Sequence, residues 1–119
     1  MRSLDITAEW NYGIDGLRHH YLVEARLGLE ICGRAHGWFE NGGRFVLEKI
    51  EIDPAERGRG YGSAVIELMR MKAREEQCSD LVFKGVRTAN EGAIRLYRAL
   101  GAQGVPASDG LLDFVLSPP

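Results

Sequence analysis

The hydrophobic period of this chain first changes across the segment from Asp53-Pro54 to Gly62. Before it, apolar and polar residues alternate at period two, the pattern of half-buried strands. Leu4, Ile6, Ala8 and Trp10 alternate with Ser3, Asp5, Thr7 and Glu9, and Tyr21, Val23, Ala25 and Leu27 form a second set. Leu29 to Glu40 reads as a third strand, Asn41-Gly42-Gly43 as a hairpin turn, and Phe45 to Ile52 as a fourth strand stopped by Pro54. After the segment the period is helical. Tyr61, Ala64, Val65, Leu68, Met69 and Ala73 fall on one face of a helix expected to reach about Gln77. Leu81 to Val86 is a short strand. Thr88-Ala89-Asn90-Glu91 fits a capping box, so a second helix should start near Ala89 and end at Gly101. Asn11 to Gly16 reads as a turn, 101–110 as a Gly- and Pro-containing loop, and Leu111 to Leu116 as a last strand. Antiparallel strands followed by helix, strand, helix and strand imply a mixed α+β domain around one sheet.

With 119 residues the chain fits a single domain, 1–119. A formal net charge of -2 gives no global basic field, which argues against a nucleic-acid partner or an anionic membrane surface. Cys32 and Cys78 make no disulfide framework. No apolar run has membrane-spanning length and the start lacks the pattern of a signal peptide, so a cytoplasmic protein is expected. Cys32 and His36, two residues on one strand face by parity, are too few for a zinc site, and no metal is expected.

The dividing segment has chemistry of its own. In Arg57-Gly58-Arg59-Gly60-Tyr61-Gly62, glycines alternate with larger residues and two arginines stand among them, directly before a helix. Glycines let backbone N–H groups approach an anion, and the helix N-terminus adds donors and a positive dipole end. A P-loop needs a lysine after its last glycine, and none follows here. The dinucleotide fingerprint also fails, with Ser63 or Val65 in its third glycine place. The spacing that fits is Arg-x-x-Gly-x-Gly, from Arg57 through Gly60 to Gly62.

Two blocks then carry a resemblance. Leu47 through Ser63 resembles the acyl-CoA-binding core of the Gcn5-related N-acetyltransferase (GNAT) superfamily. Val86-Arg87-Thr88-Ala89-Asn90-Glu91-Gly92-Ala93-Ile94-Arg95-Leu96-Tyr97, followed by Leu100-Gly101, looks like that family's next strand-helix block. Together they cover about half of the chain. The resemblance implies a GNAT-like, mostly antiparallel sheet in which the fourth strand splays from the Leu81–Val86 strand, and acetyl-CoA as cosubstrate. Backbone N–H groups of Arg57, Gly58, Arg59, Gly60, Tyr61 and Gly62, with Ser63, would hold the pyrophosphate. The strand edge at Ile50, Glu51 and Ile52 would pair with the pantetheine arm, Asn90 and Ala93 would contact it, and Tyr97 would lie near the sulfur.

Acyl transfer from a thioester to an amine needs a base, an oxyanion donor and an acid for the leaving thiolate. Tyr97 is suited to protonate the thiolate, and the resemblance implies a fourth-strand backbone N–H as oxyanion donor. By parity Val46, Glu48, Ile50 and Ile52 share one face, with Glu48 the one polar member. A carboxylate among apolar neighbours can serve as base, although a bulge would break that parity. Some relatives use a Glu before the Val-Arg pair; this chain has Gly85 there. His36 is an alternative base. Taken singly, Tyr97 reads as a core aromatic and Asn90 as an early-helix polar residue; only their joint spacing makes them a site.

Two readings follow. The first is an N-acetyltransferase acting on a primary amine of a small molecule or protein. The second is an acyl-CoA-binding or sensing module without turnover. The resemblance also exposes a departure. Its relatives usually carry two helices between the first and second strands, and Asn11 to Arg18 is too short for them. Where a Phe commonly follows the glycine ending the second helix, this chain has Ala102. The acceptor side is therefore expected to be open, or completed by the 101–110 loop or by the second subunit of a homodimer.

Overall fold

The computed structural model describes residues 3–119. Seven strands form one sheet: β1 (Leu4–Asp15), β2 (Arg18–Leu27), β3 (Glu30–Phe39), β4 (Arg44–Ile52), β5 (Asp80–Arg87), β6 (Gln103–Ser108) and β7 (Leu111–Leu116). Their spatial order is β1-β2-β3-β4-β5-β7-β6. The neighbours pair antiparallel except β4 and β5, which are parallel and joined through helix α1 (Tyr61–Glu75). Helix α2 (Glu91–Ala99) crosses from β5 to the β6–β7 hairpin. This is the α+β sheet that the change of period implies.

The core lies on one face of the sheet. Tyr21, Val23, Ala25 and Leu27 of β2 pack with Phe39, Phe45, Leu47, Leu81 and Phe83 under Val65, Ile66, Met69 and Ala73 of α1. These α1 positions recur at helical spacing, so one stripe of the helix is buried and Glu67 and Glu75 stay in water. Tyr21, Phe39 and Phe45 form a stacked aromatic column, with ring centroids 5.0 Å and 5.4 Å apart.

The structure departs from the sequence reading in several places. Asn11 to Gly16 is not a turn: β1 continues to Asp15, and the chain reverses at Gly16-Leu17 into β2. The register against β2 shifts between Glu9 and Gly13, and this irregularity carries the strand through residues that read as turn formers. The 101–110 segment is not a loop but contains β6. Gly104 and Pro106 hide it in sequence; it is an exposed edge strand held by its pairing with β7. Helix α1 stops at Glu75, because Gln77 takes φ 57°. Helix α2 starts one residue beyond Asn90, which is itself the N-cap in place of Thr88.

Two β-bulges break the parity used to place side chains. One inserts Cys32 between the pairs Ala25↔Gly33 and Arg26↔Ile31. Cys32 is therefore buried, while His36 is exposed and opposite Lys49, and the two do not share a face. The other inserts Glu48 between Gly37↔Leu47 and His36↔Lys49.

Candidate active site

The β4–β5 ladder ends early. Its last pair is Leu47↔Phe83, although β4 continues to Ile52 and β5 to Arg87. Beyond that pair the strands part, and two neighbouring cavities with shared lining residues occupy the wedge. The larger, of about 630 Å³, runs from Ile50, Glu51 and Ile52 to the turn at Arg57–Gly62. The smaller, of about 330 Å³, lies between Glu48 and Lys49 on one wall and Lys84 to Arg87 on the other. Asn90, Ala93 and Tyr97 of the α2 segment line both. The first is large enough for a cofactor-sized ligand.

The candidate anion cradle, Arg57–Gly62, is built from backbone. A single 3-10 turn, Pro54–Glu56, leads from β4 to Arg57, whose Nε donates to the Ile52 carbonyl at 3.1 Å. Arg59 pairs with Glu56 at 3.4 Å. Gly58 and Gly60 have φ of 79° and 80°, a region that disfavours side chains. Gly60 is the N-cap of α1, and the first turn of the helix carries no acidic residue to repel an anion. Gly62 differs. Neither its φ nor its surroundings demand glycine, since an added Cβ would sit 3.8 Å from Ile52 Cγ1 in ordinary contact. Gly62 and Ile52 both line the large cavity, so the missing side chain leaves room for a ligand. These residues suit a pyrophosphate.

Asn90 caps α2: its Oδ1 accepts from the Ala93 N–H at 3.1 Å, which leaves the side-chain NH2 to donate into the wedge. Tyr97 is 5% exposed and stacks on Phe83 with centroids 4.0 Å apart; Phe114 packs at 5.8 Å. Burial raises its phenol above the ordinary value, so it stays protonated and able to donate. Ser63 is exposed at the start of α1 and lines the large cavity.

Glu48 needs correction. The bulge puts Leu47 and Ile50 on the core face, opposite Gly37 and Ala35, and Val46 and Lys49 on the other, opposite Trp38 and His36. Val46, Glu48, Ile50 and Ile52 thus do not share a face. Glu48 is exposed at the bulge and lines the smaller cavity, rather than standing among apolar neighbours. Sequence reading missed Ile66 and Leu96, which floor the large cavity as part of the helix stripes, and Gly85. Gly85 has φ 66° and its N–H donates to Asp113 Oδ1 at 2.8 Å, which shapes the β5 wall. A glycine inside a strand pattern was the available signal.

A sequence profile described as the acetyltransferase (GNAT) family matches residues 2–102. The chain belongs to the GNAT acetyltransferase family. Among curated GNAT relatives, the N-alpha-acetyltransferase RimI of Mycobacterium tuberculosis (strain ATCC 25618 / H37Rv) is 34% identical over 73% of this chain and 54% of its own length. The thialysine N-epsilon-acetyltransferase of Bos taurus is 38% identical over 58% of this chain and 40% of its own. The chain thus spans about half the length of the curated relatives it matches, or less. Among solved structures, a GNAT family acetyltransferase from Elizabethkingia anophelis with acetyl-CoA bound superposes with TM-score 0.76. It covers 96% of this chain and 97% of that one at 13% identity, a likeness of fold. Nourseothricin acetyltransferase gives TM-score 0.69 at 26% identity, over 87% and 67% of the two chains. No helix among the described residues is long and apolar enough to cross a membrane.

Proposed function

We propose that this protein transfers an acetyl group from acetyl-CoA to a primary amine of a small molecule or protein, within one ternary complex. The observation that carries the reading is the pair of neighbouring cavities that share Asn90, Ala93 and Tyr97 in their walls: a donor can enter from the Arg57–Gly62 side and an acceptor from the Glu48–Arg87 side. Acetyl-CoA supplies the activated acyl group. Backbone N–H groups from Arg57 to Gly62, with Ser63, hold its pyrophosphate. The free edge of β4 at Ile50–Ile52 pairs with the pantetheine arm, and Asn90 and Ala93 contact it.

Tyr97 donates its proton to the departing thiolate sulfur, a role that its protonated, buried phenol supports. Glu48, exposed in the smaller cavity, accepts the proton from the incoming ammonium, directly or through water. The bulge beside it frees β4 backbone N–H groups from regular pairing, which supports one of them as oxyanion donor.

A thermal-shift titration with CoA and acetyl-CoA, then thiol release across an amine panel, tests the reading. At a hundred times its dissociation constant a ligand adds about 2.7 kcal/mol of stability. Absence of CoA binding overturns it. Binding without turnover of any amine, and no effect of Tyr97→Phe, would turn it into a CoA-sensing module, the second reading that the short, helix-free β1–β2 connection favours.

A further inference from the structure

Tyr21 lies on β2, two strands away from β4, yet its hydroxyl donates to the Val46 carbonyl at 2.7 Å. It reaches there across Gly37 of β3. Tyr21 pairs with Gly37, and Gly37 with Leu47, so one row of the sheet runs from the phenol to the end of the β4–β5 ladder. An added Cβ on Gly37 would sit 1.9 Å from the Val46 oxygen and 2.7 Å from the Tyr21 hydroxyl oxygen. Glycine is therefore the slot through which the hydroxyl reaches the carbonyl. Three features meet at this row: the last β4–β5 pair, the inserted Glu48, and the long-range hydrogen bond.

We propose that Tyr21 is a positioning residue, whose hydroxyl, passing over Gly37, fixes the Val46 carbonyl and thereby the bulge at Glu48 that opens β4 toward the acyl donor. The inference rests on the acetyltransferase reading for its consequence, but not for its geometry. Tyr21 is held rigidly, 2% exposed and packed between the rings of Trp10 and Phe45, with centroids 5.6 Å and 5.0 Å away. Met69 Sδ lies 3.9 Å from the hydroxyl. Burial pushes the phenol well above its ordinary value, with a smaller contribution from Glu48, so the hydroxyl remains a donor at any ordinary pH. A bulge has no ladder to enforce its geometry, so a tether two residues away decides where Glu48 and the neighbouring N–H groups point.

The test is Tyr21→Phe, which removes only the hydroxyl, with amide hydrogen exchange, CoA affinity and steady-state kinetics measured together. The expected result has two parts. Amides of Leu47 to Ile50 exchange faster while those of α1 do not, and kcat falls by about tenfold to a hundredfold with the KM for acetyl-CoA nearly unchanged, the size associated with a displaced reacting group. Unchanged exchange at Leu47 to Ile50 overturns the proposal, whether or not the wild type turns over. Faster exchange with unchanged kcat in an active enzyme also overturns it. If wild type binds CoA and acetylates no amine, the enzyme reading fails and the exchange result alone decides the tether. Should Tyr21→Phe unfold at the measuring temperature, the same exchange comparison is made in the cold beside Met69→Leu, which disturbs the same core but keeps the Tyr21–Val46 hydrogen bond. Faster exchange at Leu47 to Ile50 must appear in Tyr21→Phe and not in Met69→Leu, or the proposal falls.

Discussion

The β4–α1 corner and the β1–β2 hairpin are both turns at strand ends of one sheet, and they are built in opposite ways. At the first, Arg57–Gly62 uses backbone: positive φ at Gly58 and Gly60, a helix N-terminus, and an unfilled space at Gly62. At the second, side chains project outward, with Tyr12, Ile14 and Leu17 between 66% and 80% exposed. Backbone N–H groups at fixed spacing can serve one ligand chemistry, so the first region reads as a donor site. Exposed side chains can be exchanged without disturbing the fold, so the second is free to vary with whatever it meets. Under the proposed function, the contrast separates what the enzyme shares with its family from what is its own.

The largest expected effect lies where the two cavities meet. Tyr97→Phe should keep the stacking on Phe83, the fold and CoA affinity, and lower kcat by about 10²- to 10⁴-fold, the range for losing a positioned proton donor. Calorimetry with CoA beside steady-state kinetics checks both halves. The raised phenol pKa adds a sign: Tyr97 should not by itself cause a loss of activity until pH rises above its ordinary value, near 10.

Gly62→Ala separates fold from cradle more sharply. In the first turn of α1 the added methyl meets Ile52 in ordinary contact, and alanine favours a helix by about 0.8–1.0 kcal/mol over glycine. The free protein should melt higher. The same methyl enters the space between the turn and a bound pyrophosphate, so CoA affinity should fall by about tenfold, roughly 1.4 kcal/mol. A variant both more stable and equally able to bind CoA would show that the third glycine serves no ligand.

This split explains what the sequence could disclose. The change of period placed six of the seven strands and both helices, because core stripes impose it. The Arg57–Gly62 spacing, Asn90 and Tyr97 were legible because backbone geometry and helical phase tie them to fixed offsets. Glu48 was misplaced and β6 missed for one reason: in each case the decisive interaction is with another strand. The insertion at Glu48 shows only against β3, and Gln103–Ser108 becomes a strand only beside β7. Tyr21 was read as an ordinary core position of β2, since nothing local reports that its hydroxyl meets a carbonyl 25 residues away in sequence.

A smaller effect concerns the far end of α1. Cys78 donates from Sγ to the Glu40 carbonyl at 3.5 Å, and burial, helped by Glu76 and Asp80, pushes its thiol up to about 11. A folded-state pKa above the unfolded one contributes stability that is complete below the unfolded value, about 8.5, and is lost as pH rises through about 11. Chemical denaturation between pH 8 and 10, below the range where the raised phenols of Tyr21 and Tyr97 add their own loss, should show that decline, and Cys78→Ala should flatten it. Because the residue is remote from the wedge, CoA affinity corrected for folding should not change.

The smallest effect on the fold is expected at the hairpin tip, and it bears most directly on the comparison. Leu17→Ser alters a side chain 80% exposed beside the Gly16 turn, where no core contact is lost, so stability should move by less than about 0.5 kcal/mol. CoA affinity should not move either, since the cradle and β4 edge lie elsewhere in the sheet. The informative quantity is the KM for the amine acceptor, measured for wild type and variant with a panel that includes small amines and peptides. If the hairpin contacts the acceptor, that KM rises for some members of the panel and kcat holds. If every KM stays constant, the exposed apolar tip has no part in acceptor binding, and acceptor choice must then lie with the charged walls of the smaller cavity, Glu48 and Lys49 facing Lys84 and Arg87.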